Sequence, residues 1–436
     1  VRRWLPDLPG GGTVVLRNAA VPYCLVDAPP DATADPEGLV RLDIAVRDGR
    51  VAAIARASPL AAGDGIDLGG GQAWPCFVDL HTHLDKGHIW PRAENPDGTF
   101  AGAIEATMRD REANWSAADV TARMDFALRT AYAHGTAAIR THVDSQPPQA
   151  EISWAVVAAM RERWQGRIEL QAVTIILLEN LMGPYGAWLA DLVAAHGGML
   201  GGVALPSPDL DAQLDRVFGL AASRGLDLDF HADETGDAGA MALRAIAAAK
   251  LRHRFPGKVT VGHCCSLAVQ PEAEVDRTLD MVAKAGLAVV SLPMCNLYLQ
   301  DRRSGRTPRW RGVTLLHEMA ARGIPVALAS DNCRDPFYGY GDHDVLEVFA
   351  QAARIAHLDR PVGAWPASVA RTPAAVMGLG GAGRIAVGGQ ADLVLFDARG
   401  YSELLARPQA DRIVLRAGRP IDTTLPSYRE LDALFA

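Results

Sequence analysis

The stretch FVDLHTHLDKGH, Phe77 to His88, decides how the chain is read. It is a short apolar run that ends in two histidines. In an extended strand side chains alternate between faces, so Phe77, Asp79, His81 and His83 share one side and Val78, Leu80, Thr82 and Leu84 the other. Two imidazoles at one strand end then point the same way. The pair suits a metal ion and equally a solvated loop, so its meaning depends on what stands at the ends of the other strands.

Outward from this run, short apolar segments alternate with helical ones, the pattern of βα units around a parallel sheet. The expected strands are Pro75–His83, Ala137–Val143, Ile168–Ile176, Leu200–Leu205, Leu226–His231, Lys258–His263, Leu287–Leu292 and Pro325–Asp331. Between them lie amphipathic stretches such as SAADVTARMDFALRTAYAHG, where Ser116 reads as an N-cap and Gly135 as the stop. Gly225, Gly257, Gly286 and Gly323 each sit just before the next strand. Eight such units fit a (β/α)8 TIM-type barrel, and no GxGxxG follows the first strand to suggest a dinucleotide fold.

The first seventy or so residues read instead as strands and turns, with Asp48 and Gly49 as a hairpin signal in LVRLDIAVRDGRVAAIARA. GRIAVGGQADLVLFDARGY and DRIVLRAGRPI return to that chemistry near the C-terminus. The expected organisation is a small β-sandwich domain from residues 1–73 and 378–436, with the catalytic α/β barrel over 74–377.

Composition narrows the function. The 436 residues are 49% hydrophobic and 22% charged, enough apolar surface for a large core. A net charge of −8 without a basic stripe argues against a nucleic-acid polymer as partner. No run of about 18 apolar residues marks a membrane span, and the opening VRRWLPDLPGGG carries no signal-segment pattern, so a cytoplasmic location is expected. Six cysteines without a CxxC suggest reduced thiols rather than a zinc ribbon or disulfide framework.

Polar residues recur at the carboxyl ends of the expected strands: His81 and His83, His231 in DFHADE, His263 in VGHCC, and Asp331 in LASDN. In a barrel those ends converge on one mouth. Neutral imidazoles with one carboxylate suit zinc or iron(II), and such an ion ionises a water near neutral pH. Glu234, three residues after His231, stands where a carboxylate that is not a ligand takes and passes the water proton. Metal-assisted hydrolysis is the expected reaction class. No lysine occurs between Lys86 and Lys250.

The order HxH, His, His, Asp resembles the amidohydrolase superfamily over nearly the whole chain, and GRIAVGGQADLVLFD resembles its C-terminal segment. FVDLHTHLDK, RTHVDS, ELQAV, DFHADE, PMCNLYLQDR and SDNCRDPFYGYGDHD resemble its cytosine deaminase group. The resemblance implies one divalent ion, iron(II) or zinc, on His81, His83, His231 and Asp331. It implies Glu234 as proton shuttle, His263 as the residue orienting the water, Asp331 as ligand and base, and Gln171 as reader of a substrate amide. It also implies a homo-oligomer.

One departure stands out: Asn332 follows Asp331 where the group's pattern has a second aspartate. The change opens the substrate from cytosine to 5-methylcytosine, another aminopyrimidine or an aminotriazine, and SDN followed by RD resembles the N-alkyl ammelide hydrolases. Phe337 and Trp310 are candidates to stack on a planar ring. The expected activity is deamination of cytosine or a close analogue, with an N-alkyl ammelide hydrolase as alternative and a metal-containing binding protein without turnover as a third reading. Asp85 to His88, and His142, carry no assigned task.

Overall fold

The structure is a computed structural model that describes residues 13–57 and 65–435; the VRRWLPDLPGGG opening lies outside them. Eight parallel strands form the barrel: β1 (Phe77–Thr82), β2 (Thr136–Asp144), β3 (Glu169–Ile175), β4 (Leu200–Ala204), β5 (Leu228–Ala232), β6 (Val259–His263), β7 (Ala288–Ser291) and β8 (Val326–Leu328). β1 to β3 pair in order, as do β4 to β8. Bridges Val173 to Met199 and Leu177 to Val203 join β3 to the β4 edge, and Thr82 to Asp331 closes the ring between β1 and the end of β8. The barrel expected from the sequence is therefore present, and each strand lies within or beside its expected range.

Every residue of β1 is buried, because a barrel strand has packed side chains inside and helices outside. β4 reads LGGVA and carries no lysine. Its two glycines permit close strand approach: a Cβ on Gly201 would meet the Asp229 carbonyl oxygen at 1.7 Å, and one on Gly202 the Ile176 carbonyl oxygen at 2.2 Å. The helix Ala117–Ala133 starts where expected, with the Ser116 hydroxyl accepting the Asp119 N–H at 3.2 Å, and Gly135 beyond it adopts φ +95°.

The described residues divide into two compact units, one reaching from residue 13 to 79 with 129–138 and 344–425, the other of 80–128, 139–343 and 426–435. In the first, one hydrogen-bonded sheet runs in the order Arg419–Pro420, Ile413–Arg416, Leu393–Phe396, Gln72–Pro75, Thr13–Pro22, Leu39–Arg47, Arg50–Arg56, with Ile66–Asp67 paired to Thr13–Pro22. Leu393 pairs with Pro75 and Phe396 with Gln72, so a C-terminal strand completes an N-terminal sheet. Asp48 and Gly49 turn the hairpin with φ of 49° and 78°, the left-handed pair that a tight two-residue turn demands. Leu16, Val21, Leu42, Ile44, Leu393 and Leu415 fill its core.

Candidate active site

The second unit holds the polar cluster, built from strand ends upward. His81 is the penultimate residue of β1, and His83 lies one residue past the strand. His231 sits near the end of β5, and His263 ends β6 with φ +72°. Asp331 follows β8 with φ +62°. Its N–H donates to the His81 carbonyl oxygen at 2.8 Å, and Thr82 Oγ1 donates to the Asp331 carbonyl oxygen at 2.8 Å. Closing the barrel thus delivers the carboxylate to the histidines.

Four side-chain atoms converge. His231 Nε2 lies 3.1 Å from His81 Nε2 and 3.4 Å from His83 Nε2. Asp331 Oδ1 lies 3.2 Å from His83 Nε2 and 3.6 Å from His81 Nε2. Ligands at about 2.0–2.1 Å from a tetrahedral ion stand about 3.3 Å from one another, so these separations fit a single small divalent cation. The chemistry fits as well: both carboxylate oxygens of Asp331 are buried without a hydrogen-bond partner, as are the Nδ1 atoms of His81, His83 and His231. His81, His83 and Asp331 form one group close enough to hold a metal ion, and His81, His231 and His263 form an overlapping one.

Electrostatics prepare the donors. Burial, and then neighbouring imidazoles, push His81 and His231 well below the usual histidine range, while burial and Lys86 lower His83 to about 4. All three are neutral at physiological pH, the form that binds metals. Burial raises Asp331, but the close approach of His83, 3.2 Å away, and the neighbouring His263 outweigh it and hold the carboxyl below its ordinary value.

Beside these donors lies a second set. Glu234 Oε1 accepts from Asn296 Nδ2 at 3.1 Å, and the same amide donates to His263 Nδ1 at 3.0 Å. With Nδ1 as acceptor, the proton of neutral His263 sits on Nε2, which is buried and without a partner. Burial, and then the charge of Asp331, raise Glu234 well above the usual carboxylate range. Glu234 is therefore suited to carry a proton. Asn296 escaped the sequence reading, although it lies within PMCNLYLQDR. Its role arises where the helix Pro293–Leu299 meets the loop after β5, a contact with no local signature.

One pleat lower, His142 stacks on His81 with ring centroids 3.8 Å apart, and its Nε2 lies 4.0 Å from Asp229 Oδ1. Asp229 Oδ2 accepts from Arg140 at 2.8 Å, and Arg140 also donates to Gln171 Oε1 at 3.1 Å and 3.2 Å. Gln171, expected to read a substrate amide, precedes the end of β3 by four residues, and its side-chain oxygen accepts from Arg140.

The remaining candidates are dispersed. Asn332 is buried and its amide is engaged on both sides: Nδ2 donates to Asp335 Oδ2 at 2.7 Å, and Cys295 Sγ, from the helix Pro293–Leu299, donates to Oδ1 at 3.4 Å. Phe337 is half-buried under Lys86, whose Nζ lies 4.1 Å from the ring centroid. Trp310 packs toward Gly236, in the loop beyond Glu234. Asp85 accepts the Asp144 N–H at 2.8 Å, and burial raises its carboxyl to about 6. Cys264 and Cys265 are fully buried.

Comparison with known proteins follows the same line. A model of the amidohydrolase family matches residues 154–422. The chain is 55% identical over 430 residues to a pterin deaminase of Rhizobium rhizogenes, covering 98% of each. A 5-methylcytosine deaminase from Klebsiella pneumoniae, liganded with 5-fluorocytosine, superposes with a TM-score of 0.78 at 23% identity, covering 95% of this chain and 98% of that one. N-isopropylammelide isopropylaminohydrolase from Burkholderia multivorans gives 0.74 at 28% identity, covering 95% and 100%. No helix among the described residues is long and apolar enough to cross a membrane. With its barrel, its strand-end histidines and these relatives, the chain belongs to the amidohydrolase family and is a hydrolase acting on carbon–nitrogen bonds.

Proposed function

We propose that this enzyme is a hydrolytic deaminase of pterins. Water adds to the amino-bearing carbon of a 2-amino-4-oxopteridine, the carbon–nitrogen bond breaks, and ammonia and the 2,4-dioxo product leave. The observation that carries this reading is the 55% identity to a pterin deaminase across 98% of both chains. An alignment of that extent spans the loops at the barrel mouth, where a barrel's specificity resides. Cytosine presents the same amino-amidine edge on one ring, so the motifs alone favour it equally. An N-alkyl ammelide is the second reading, favoured by the 28% identity to the Burkholderia multivorans enzyme.

In this reading His81, His83, His231 and Asp331 hold one divalent ion, zinc or iron(II). When bound, such an ion lowers the pKa of water so that hydroxide is available near neutral pH. Asp331 accepts the water proton, and Glu234 passes protons to the ring nitrogen and the departing amine. His263 donates its Nε2–H to the oxygen adding to the ring carbon, and Asn296 orients both Glu234 and His263. Asn332 braces Asp335 and the loop bearing Phe337, which walls the planar ring. The proposal retains residues 74–377 as the catalytic barrel, a small heterocycle as the partner, and a cytoplasmic homo-oligomer.

The test is product analysis. Metal-loaded enzyme incubated with pterin should release ammonia and the 2,4-dioxo product in equal amounts. Full metal content with no ammonia from pterin overturns the reading.

A further inference from the structure

We propose that His88, Cys333 and His343 form a second metal site, structural in role and of the zinc class, pinning the loop after β1 to the loop after β8. The ligand atoms of the three residues lie within 4.8 Å of one another, and all three side chains are buried. One thiol and two imidazoles form a donor set typical of zinc, distinct from the nitrogen and oxygen donors around Asp331.

Independent observations point to a ligand. Both ring nitrogens of His88 are buried without a hydrogen-bond partner. A neutral imidazole carries one donor and one acceptor, and leaving both unmet is costly unless an ion or proton satisfies one. His88 and His343 also hold left-handed backbones, φ 65° and 52°, a conformation that clusters at ligand clamps. The nearby cations are already engaged. Arg123 Nη2 donates to Asp119 at 2.7 Å, and Arg334 lies 4.2 Å from the Tyr428 ring centroid.

The loops this ion would join are adjacent. The His88 N–H donates to the Cys333 carbonyl oxygen at 3.0 Å, and the Trp90 N–H to that of Arg334 at 2.8 Å. The same loops carry His83 and Asp331, whose side chains meet at 3.2 Å. A second ion would therefore hold the spacing of two members of the first cluster. Binding forms a sulfur–metal bond, and the thiol proton leaves to solvent.

Cobalt(II) loading of the full-length enzyme tests this directly. The wild type should take up a second equivalent of cobalt and show a thiolate-to-cobalt charge-transfer band in the near ultraviolet, which nitrogen and oxygen ligands do not give. Cys333→Ser should abolish the band and lose one equivalent, with the visible cobalt bands of the other site retained. His343→Gln, measured in parallel, should also lose one equivalent, so the outcome does not depend on one variant folding. A single equivalent with no thiolate band in the wild type overturns the proposal, as does a band that survives Cys333→Ser.

Discussion

His81 Nε2 and His231 Nε2 lie 3.1 Å apart although 150 residues separate them in sequence. Two neutral imidazole nitrogens this close are stable when a proton or a cation lies between their lone pairs. Asp331 Oδ1, at 3.2 Å from His83 Nε2, adds a negative charge to the same point. The cluster therefore suits a cation.

Glu234→Gln should retain metal and fold while kcat falls about 10²–10⁴-fold, the range typical of a lost proton-transfer group. The amide keeps the shape and a hydrogen bond to Asn296 but cannot pass a proton. Metal analysis beside steady-state kinetics checks this, and near-wild-type turnover would remove Glu234 from the mechanism.

Gly262→Ala should weaken metal binding without unfolding the protein. A Cβ at Gly262 would meet His81 Cε1 at 3.0 Å and Nδ1 at 3.1 Å, so the ring must shift by a few tenths of an ångström. Perturbing the groups that orient a ligand typically costs about 10–100-fold in metal affinity. Competition with a chromophoric chelator measures the shift.

Metal affinity should be nearly independent of pH from neutrality down to about pH 5. Protons compete with metal only when an imidazole is protonated, and burial lowers His83 to about 4. Unperturbed histidines, near 6.5, would begin to lose affinity well above that. Chelator competition across pH 5–7 distinguishes the two, and a steep loss starting at 6.5 would show the imidazoles are not shielded.

Asp229→Leu should destabilise the protein by about 3–5 kcal/mol, because it strands the buried Arg140 cation that Asp229 meets at 2.8 Å. Replacing Arg140 with Met at the same time should recover much of that loss, since no unpaired charge remains. Urea unfolding of the single and double variants gives the comparison.

Much of the barrel was legible in the sequence for a physical reason. Strands buried on both faces read as continuous apolar runs, and turn glycines such as Gly286 at φ +63° punctuate them. Polar residues ending such runs, His231 and Asp331 among them, stood out because burial there needs a purpose. What stayed hidden was distance. Alternation along β3 marks which residues face inward, but only the register of its neighbours shows that Gln171 meets Arg140. Asn296 and the stack of His142 on His81 depend on contacts between elements far apart in sequence, which no local pattern encodes.

The central claim is pterin deamination at this cluster, and the most direct test is kcat/KM for pterin against cytosine with one metal-loaded preparation. The account predicts that pterin is favoured by at least about 100-fold, roughly 2.7 kcal/mol of differential transition-state binding. Cytosine turned over as well as pterin, or better, would contradict it.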